Sequence, residues 1–339
     1  MIEKYKTSEG AQIYQLPLEL FPGFDGYAYL VIVDDYRVLI DTGSGVGRSN
    51  EDLENGLREA GEQAGFSSPF RFDDLTHILI THAHIDHFGG LPYICPQTHA
   101  RLGVHELDRR ILTNYEERLS LVGRRMDEFL HEAGTTNDQR TRLMQMYMMT
   151  KGLFHSVPVD FTFEACGMRL GPFKMLHVPG HCAGQVVIQL HDILFSGDHV
   201  LHDISPHQAP EHLTLSTGID HYLKSLDLLD SWAQGVRLTL GGHKAPITDL
   251  SKRIAEIRQL HQERLDKVLN ILRQPKTTSQ VSVDLFGDVR GYNELLAIEE
   301  AGAHVEYLYQ RGLLEIENLE ELEKSTNTTP IYYRCADCD

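Results

Sequence analysis

The sequence predicts a layered α/β domain joined to a mainly helical C-terminal region. Three observations carry that expectation. Over the first 81 residues, short β-branched and aromatic runs alternate with a helical pattern, the rhythm of a βαβ layer. Over 104–151, apolar residues fall at helical spacing. After Asp249 the order is helix, helix, helix and strand pair. A length of 339 residues, at roughly 150 per domain, suits two domains. We draw them at 1–250, with a helical insert at about 104–155, and at 251–339.

In chain order, residues 27–33 and 37–40 read as strands divided by the acidic turn Asp34-Asp35. The second strand runs into the glycine-rich turn Asp41-Thr42-Gly43-Ser44-Gly45. A helix starts near Ser49, where Glu51 and Asp52 suit the positive end of its dipole, and continues to about Gln63. Residues 76–81 form a buried strand. Leu107, Ile111, Leu112, then Leu119, Val122, Met126, Leu130, then Leu143, Met146, Tyr147 and Met149 mark two or three helices. The methionine stripe from Met144 to Met149 reads as core. Strands return at 161–164, 173–178, 185–190 and 193–196, followed by a helix over 220–232 and a strand over 236–240. A long helix runs from beyond Asp249 to about Arg273. After Pro275 come a short helix, a helix over about 293–310, Gly312 and a strand-like pair ending at 331–334, a winged-helix-like pattern.

The charge balance, 31 Lys and Arg against 49 Asp and Glu, gives −18 and disfavours polyanionic partners and anionic membrane surfaces. The longest apolar run, 27–33, is too short to span a bilayer, and the polar N-terminus lacks the apolar core of a signal peptide. A soluble cytoplasmic protein is the expectation. Cys95, Cys166 and Cys182 are scattered, and Cys335 with Cys338 forms a CxxC that we read as reduced thiols of an exposed tail. The compositional anomaly is 19 histidines, the commonest metal ligands.

Their placement is decisive. His82, His84, Asp86 and His87 lie within six residues of one another at a strand end, followed by Gly89-Gly90. Alternation along an extended segment aims His82 and His84 to one side, and the turn at Asp86-His87 aims two more groups at a neighbouring point, as a two-metal site requires. One segment cannot fill two coordination shells. His181, Asp198 and His243 each follow an apolar run by one to three residues beside a glycine that permits a tight turn. Ligands on loops at one sheet edge are where open α/β folds place sites.

The order Asp41-Thr42-Gly43, His82-x-His84-x-Asp86-His87, His181, Asp198, His243 resembles the metallo-β-lactamase superfamily, whose five motifs are all present over about residues 10–250. The resemblance implies an αββα sandwich. It implies one Zn2+ held by His82, His84 and His181, a second by Asp86, His87 and His243, and Asp198 bridging the two, with Fe or Mn as alternatives. Asp41 matches a position that orients the metal loops from behind the ligands. The implied mechanism is attack by a metal-bridging hydroxide, with Asp86 and Asp198 as the catalytic carboxylates. Cys182 follows a ligand directly, but Asp198 already fills the position where relatives place a ligand cysteine. Of the other histidines, His177, His199, His202 and His207 read as packing or surface residues, with His199 or His207 able to donate to substrate.

Substrate is less legible, because one such site supports many chemistries. The gap from His84 to His181 holds the helical segment, a departure from compact glyoxalase II-type thioesterases. The insert and the C-terminal pattern resemble the lactamase-beta-like branch, whose members are thioesterases, glyoxalase II-like enzymes and single-strand endoribonucleases. Leu201 stands where lactonases usually carry a tyrosine, and His84 stands where flavodiiron oxidases put a glutamate. The helix over 293–310 carries Glu294, Glu299, Glu300 and Glu306 with no Lys or Arg, the wrong charge for reading nucleic acid. Arg109, Arg110, Arg124 and Arg125 keep an RNA reading open, although acidic neighbours favour an ion-paired surface. The expectation is a small acyl, thioester substrate in a pocket lined by Met146, Tyr147 and Met149, with RNA cleavage and lactone or β-lactam hydrolysis as alternatives. The C-terminal region reads as a packing or dimerisation element, which leaves a homodimer open.

Overall fold

Successive antiparallel hairpins begin the chain because residues 12–40 alternate apolar side chains on both faces, separated by turns that tolerate left-handed backbone. Asp34 in the last turn has φ 49°. In the computed structural model, which describes residues 2–336, these are β1 (Glu3–Lys6), β2 (Gln12–Phe21), β3 (Phe24–Val33) and β4 (Tyr36–Ile40). Cys338, half of the expected CxxC, lies outside the described residues. Three further strands, β5 (His77–Leu79), β6 (Arg101–Val104) and β7 (Phe161–Thr162), add in parallel to complete a seven-stranded sheet in order β1 to β7.

A second sheet contains β8 (Arg169–Leu170), β9 (Phe173–His177), β10 (Val186–Leu190), β11 (Ile193–Gly197) and β12 (Leu238–Gly241), in reverse order across the sheet. Its β11–β12 pair is parallel. The two sheets pack face to face through alternate residues: Tyr29, Val31, Val38, Ile40 and Leu79 from one meet Phe173, Val186, Ile188, Phe195 and Leu240 from the other. On the first sheet's outer face lies α1 (Ser49–Ala64), whose Gly56 leaves room for Leu16. Its C-terminus is closed by Gly65 at φ 86°. Short helices α2 (Ile85–Phe88) and α3 (Leu91–Ile94) come in succession after β5, and α4 (Glu106–Thr113) follows β6.

The chain divides into two compact units, one of residues 1–116, 154–206 and 225–254, the other of 117–153, 207–224 and 255–339. Helices α5 (Tyr115–Glu132), α6 (Asn137–Lys151), α7 (Ile219–Trp232), α8 (Leu250–Ile271), α9 (Thr278–Phe286), α10 (Tyr292–Gln310) and α11 (Leu319–Lys324) follow. A two-stranded antiparallel sheet of β13 (Leu314–Ile316) and β14 (Tyr333–Cys335) lies in the second unit. Thr136 and Thr277 start α6 and α9 with reciprocal capping to Gln139 and Gln280. Met126, Phe129, Leu130, Leu143 and Tyr147 pack with Leu295 and Ile298, while Met149 is 73% exposed. Glu299 and Glu300 are not a solvated acidic face: both are buried, paired with His207 and Arg264. Among the described residues no helix is long and apolar enough to cross a membrane.

Candidate metal centre

Each expected ligand follows a strand end on the first unit. The chain leaves β5 after Leu79, and Thr81 turns its backbone N–H and hydroxyl onto the Asp41 carboxylate beyond β4, both at 2.8 Å. His82 and His84 follow at once, Asp86 and His87 sit in α2, His181 lies between β9 and β10, Asp198 follows β11, and His243 follows β12. Folding brings all seven into two groups. His82, His84 and His181 place one ligand atom each within 4.8 Å of one another, and so do Asp86, His87, Asp198 and His243.

Asp198 joins the groups. Its Oδ1 is 3.4 Å from His87 Nε2, and its Oδ2 is 3.4 Å from His243 Nε2 and 3.9 Å from His181 Nε2. Asp86 Oδ2 lies 3.3 Å from His243 Nε2.

The ring tautomers follow from what lies behind. His87 Nδ1 donates to Asp41 Oδ2 at 2.8 Å and His243 Nδ1 to the Asp25 carbonyl at 2.9 Å. The Thr81 hydroxyl is committed as a donor to Asp41, so it accepts from His82 Nδ1 at 3.1 Å. All three rings thus turn Nε2 inward, as metal-ligating histidines do. His87 Nε2, His243 Nε2 and Asp198 Oδ1 are buried with no well-formed hydrogen bond, and imidazole with carboxylate is a donor set suited to zinc, iron or manganese. The residues present fit a metal cofactor.

Burial pulls His87 down, yet Asp198, Asp41 and Asp86 outweigh it and hold the imidazole well above its ordinary value. Burial likewise opposes the charge on His243, and Asp198 and Asp86 push it up to about 10. Burial raises Asp198, while His243 and His87 bring it well below the usual carboxylate range. With its imidazole pushed up to about 10, His243 is protonated at pH 8 in metal-stripped protein and must lose that proton to ligate. Metal uptake is therefore expected to release protons, with apparent affinity rising as pH climbs towards 10. Calorimetry in buffers of differing ionisation enthalpy reads the protons directly; uptake without release contradicts the assignment of this ring.

Sequence reasoning missed Asp108. This fully buried carboxylate on α4 accepts from Ala83 N and Gly184 N, both at 2.8 Å, and so ties the His82–His84 segment to the His181 loop. A side chain at Gly184 would collide with it. Cys182 turns its Sγ to the same carboxylate at 3.5 Å. Asp108→Ala strands two buried donors, at about 1–3 kcal/mol each, and frees two ligand loops. The expectation is a lower melting temperature and ~10–100-fold weaker metal affinity by chelator competition; wild-type affinity would show that the loops hold themselves.

Of the other histidines, His199 is buried in the first unit, and burial followed by the neighbouring His181 holds its imidazole down to about 3. His177 stacks on His105 with ring centroids 3.8 Å apart, and His202 is exposed. His207 belongs to the second unit.

Comparison with known proteins agrees with this geometry. The sequence profile of the Metallo-beta-lactamase superfamily matches residues 21–268. A metallo-beta-lactamase family protein of Thermus thermophilus is similar in structure, with TM-score 0.73 and 25% identity over 95% of this chain and 98% of that one. A beta-lactamase domain protein of Burkholderia ambifaria shares the fold, with TM-score 0.72 and 20% identity over 98% of this chain and 94% of its own. Among curated sequences, a metallo-beta-lactamase fold-containing protein of Sulfurisphaera tokodaii is 28% identical over 131 residues, 37% of this chain and 45% of that protein. Endoribonuclease ysh1 of Aspergillus fumigatus is 28% identical over 154 residues, 43% of this chain and 17% of its own. The match thus spans less than half the length of either curated relative. With its histidine and aspartate clusters gathered at strand ends and the family profile covering most of its length, the chain belongs to the metallo-beta-lactamase superfamily.

Proposed function

We propose that the protein is a binuclear metal-dependent hydrolase acting on a small acyl substrate, a thioester in the first instance. The observation that carries the reading is Asp198, a single carboxylate facing both ligand groups. His82, His84 and His181, and Asp86, His87, Asp198 and His243, would hold divalent ions, zinc first with iron or manganese as alternatives, whose contribution would be to acidify a water and polarise a carbonyl. The chain's own part is positioning. Asp41 sets the tautomer of His87 directly and that of His82 through the Thr81 hydroxyl, and Asp108 holds the two histidine loops at fixed separation. The Phe24 ring lies 4.8 Å from the His243 ring and is 45% exposed, offering an apolar face to the non-reacting part of an acyl group.

A net charge of −18 supports a small substrate over a polyanion. The likeness to an endoribonuclease favours single-stranded RNA as the second reading, with exposed Arg109 and Arg110 on α4 among its candidate basic residues. Among the described residues Cys95, Cys166, Cys182 and Cys335 form no disulfide with one another, which supports a reducing, cytoplasmic setting. The test is thiol release from a thioester panel that includes S-lactoylglutathione, using metal-loaded protein. Turnover above about 1 s⁻¹, lost in Asp198→Ala, is the expected result. Silence on thioesters with cleavage of single-stranded RNA would replace this reading by the second.

A further inference from the structure

A second grouping of ligand atoms lies wholly in the other compact unit. Glu300 and His304 are one helical turn apart on α10, which puts both side chains on one face. His261 meets them from α8, and all three are buried. One ligand atom from each lies within 4.8 Å of the other two. His261 Nδ1 and His304 Nε2 are 3.2 Å apart, close to the 3.1 Å between His82 Nε2 and His84 Nδ1 in the candidate metal centre. Two nitrogens sharing an ion at about 2.0–2.1 Å with a tetrahedral angle stand ~3.3 Å apart.

We propose that His261, Glu300 and His304 form a structural site for a divalent transition metal, zinc being the best match to two imidazoles and a carboxylate.

The surroundings prepare such a site. His304 Nδ1 donates to the Glu300 backbone carbonyl at 2.7 Å, which leaves Nε2 with its lone pair towards His261, the orientation that metal-ligating histidines receive from a supporting carbonyl. Burial holds the His261 imidazole down to about 3 and lowers His304, so both rings are neutral and able to ligate. Glu300 stays ionised in the interior: Arg264 Nη1 donates to its Oε1 at 2.9 Å, and Gln208 N donates to its Oε2 at 2.6 Å. Each carboxylate oxygen has a second lone pair, so these bonds do not exhaust it. His207 also approaches, with Nδ1 3.6 Å from Glu300 Oε2 and Nε2 3.1 Å from Glu299 Oε2. The Tyr222 ring packs edge-on against His261, with centroids 5.5 Å apart, and closes that side. Carboxylate and histidine side chains projected inward from facing helices are how helical bundles build metal centres. The same pair of rings without an ion would share one N–H between two nitrogens, and the experiment separates the two states.

Crystals of zinc-loaded protein, measured on both sides of the zinc absorption edge, are expected to show an anomalous peak between His261 Nδ1 and His304 Nε2. Metal analysis after desalting is expected to fall by one equivalent per chain in His261→Ala. A variant lacking His82, Asp198 and His243 is expected to keep that one equivalent. Zinc peaks at the candidate metal centre alone would overturn the proposal while leaving the hydrolase reading intact; a peak at His261 alone would do the reverse. Should His261→Ala fail to fold, the anomalous map of the wild-type protein decides.

Discussion

Replacing Asp198 with alanine is expected to lower kcat/KM by at least ~10³-fold in metal-loaded protein while leaving the fold in place. Metal-assisted charge stabilisation is worth several kcal/mol, and each 1.36 kcal/mol is a factor of ten in rate. Asp198 Oδ1 sits 3.4 Å from His87 and Oδ2 3.4 Å from His243 and 3.9 Å from His181, so on the proposed reading its removal takes an anionic ligand from both groups at once. The remaining histidines and Asp86 keep part of the metal affinity, so the loss of rate should exceed the loss of metal. Asp198→Asn keeps the shape with one neutral amide in place of a charged oxygen and should fall between wild type and alanine. Rates measured alongside metal content per chain make the comparison. Turnover by Asp198→Ala within tenfold of wild type, with metal bound, would place the chemistry on other residues.

The second large effect is expected from one methyl group. At Gly242 a Cβ would lie 2.5 Å from Asp198 Oδ1 and 2.5 Å from His87 Cε1, closer than real Cβ atoms approach anything. The backbone cannot yield easily: Gly242 N donates to the Gly197 carbonyl and Tyr27 N donates to the Gly242 carbonyl, both at 2.8 Å. The two candidate ligands must move instead. Displacement of reacting groups by about 1 Å costs on the order of 10²-fold, so Gly242→Ala should lose at least that much activity and bind metal more weakly. Gly123→Ala on α5 is the contrast, because its Cβ meets only the flexible Met148 side chain, the sulfur at 3.2 Å, and should be tolerated. Equal activity in the two variants would mean that the loop after β12 is far softer than its hydrogen bonds imply.

Much of the candidate site was legible because its signals are local. The His82–His87 run is contiguous, and His181, Asp198 and His243 each stand near a glycine just past an apolar strand. Elements with strong periodicity were legible too: α10 was expected over about 293–310 and spans Tyr292–Gln310. Boundaries moved where tertiary bonds redirect the chain. The strand expected over 76–81 stops at Leu79, since Thr81 turns to Asp41, and the one expected over 161–164 stops at Thr162, ahead of a tight helical turn over Glu164–Cys166. Asp108 stayed hidden because an acid in the first turn of a helix already has an ordinary explanation. Its two partners, Ala83 and Gly184, are 25 and 76 residues away, and no local period reports such ties. Glu299 and Glu300 hid for the same reason, their partners His207 and Arg264 being distant in sequence.

The interleaving of the second unit from three separate stretches has a consequence during synthesis. Leu295 and Ile298, which pack against Met126, Phe129, Leu130 and Leu143, arrive late: Leu295 follows Leu130 by 165 residues (295 − 130). At about 5–20 residues per second, a ribosome needs roughly 8–33 s to deliver them. Throughout that interval the apolar stripe of α5 and α6 lacks its α10 cover and invites capture by nascent-chain chaperones or by other unfinished chains. Recombinant yield should therefore respond more to growth temperature and chaperone supply than to the stability of the finished protein.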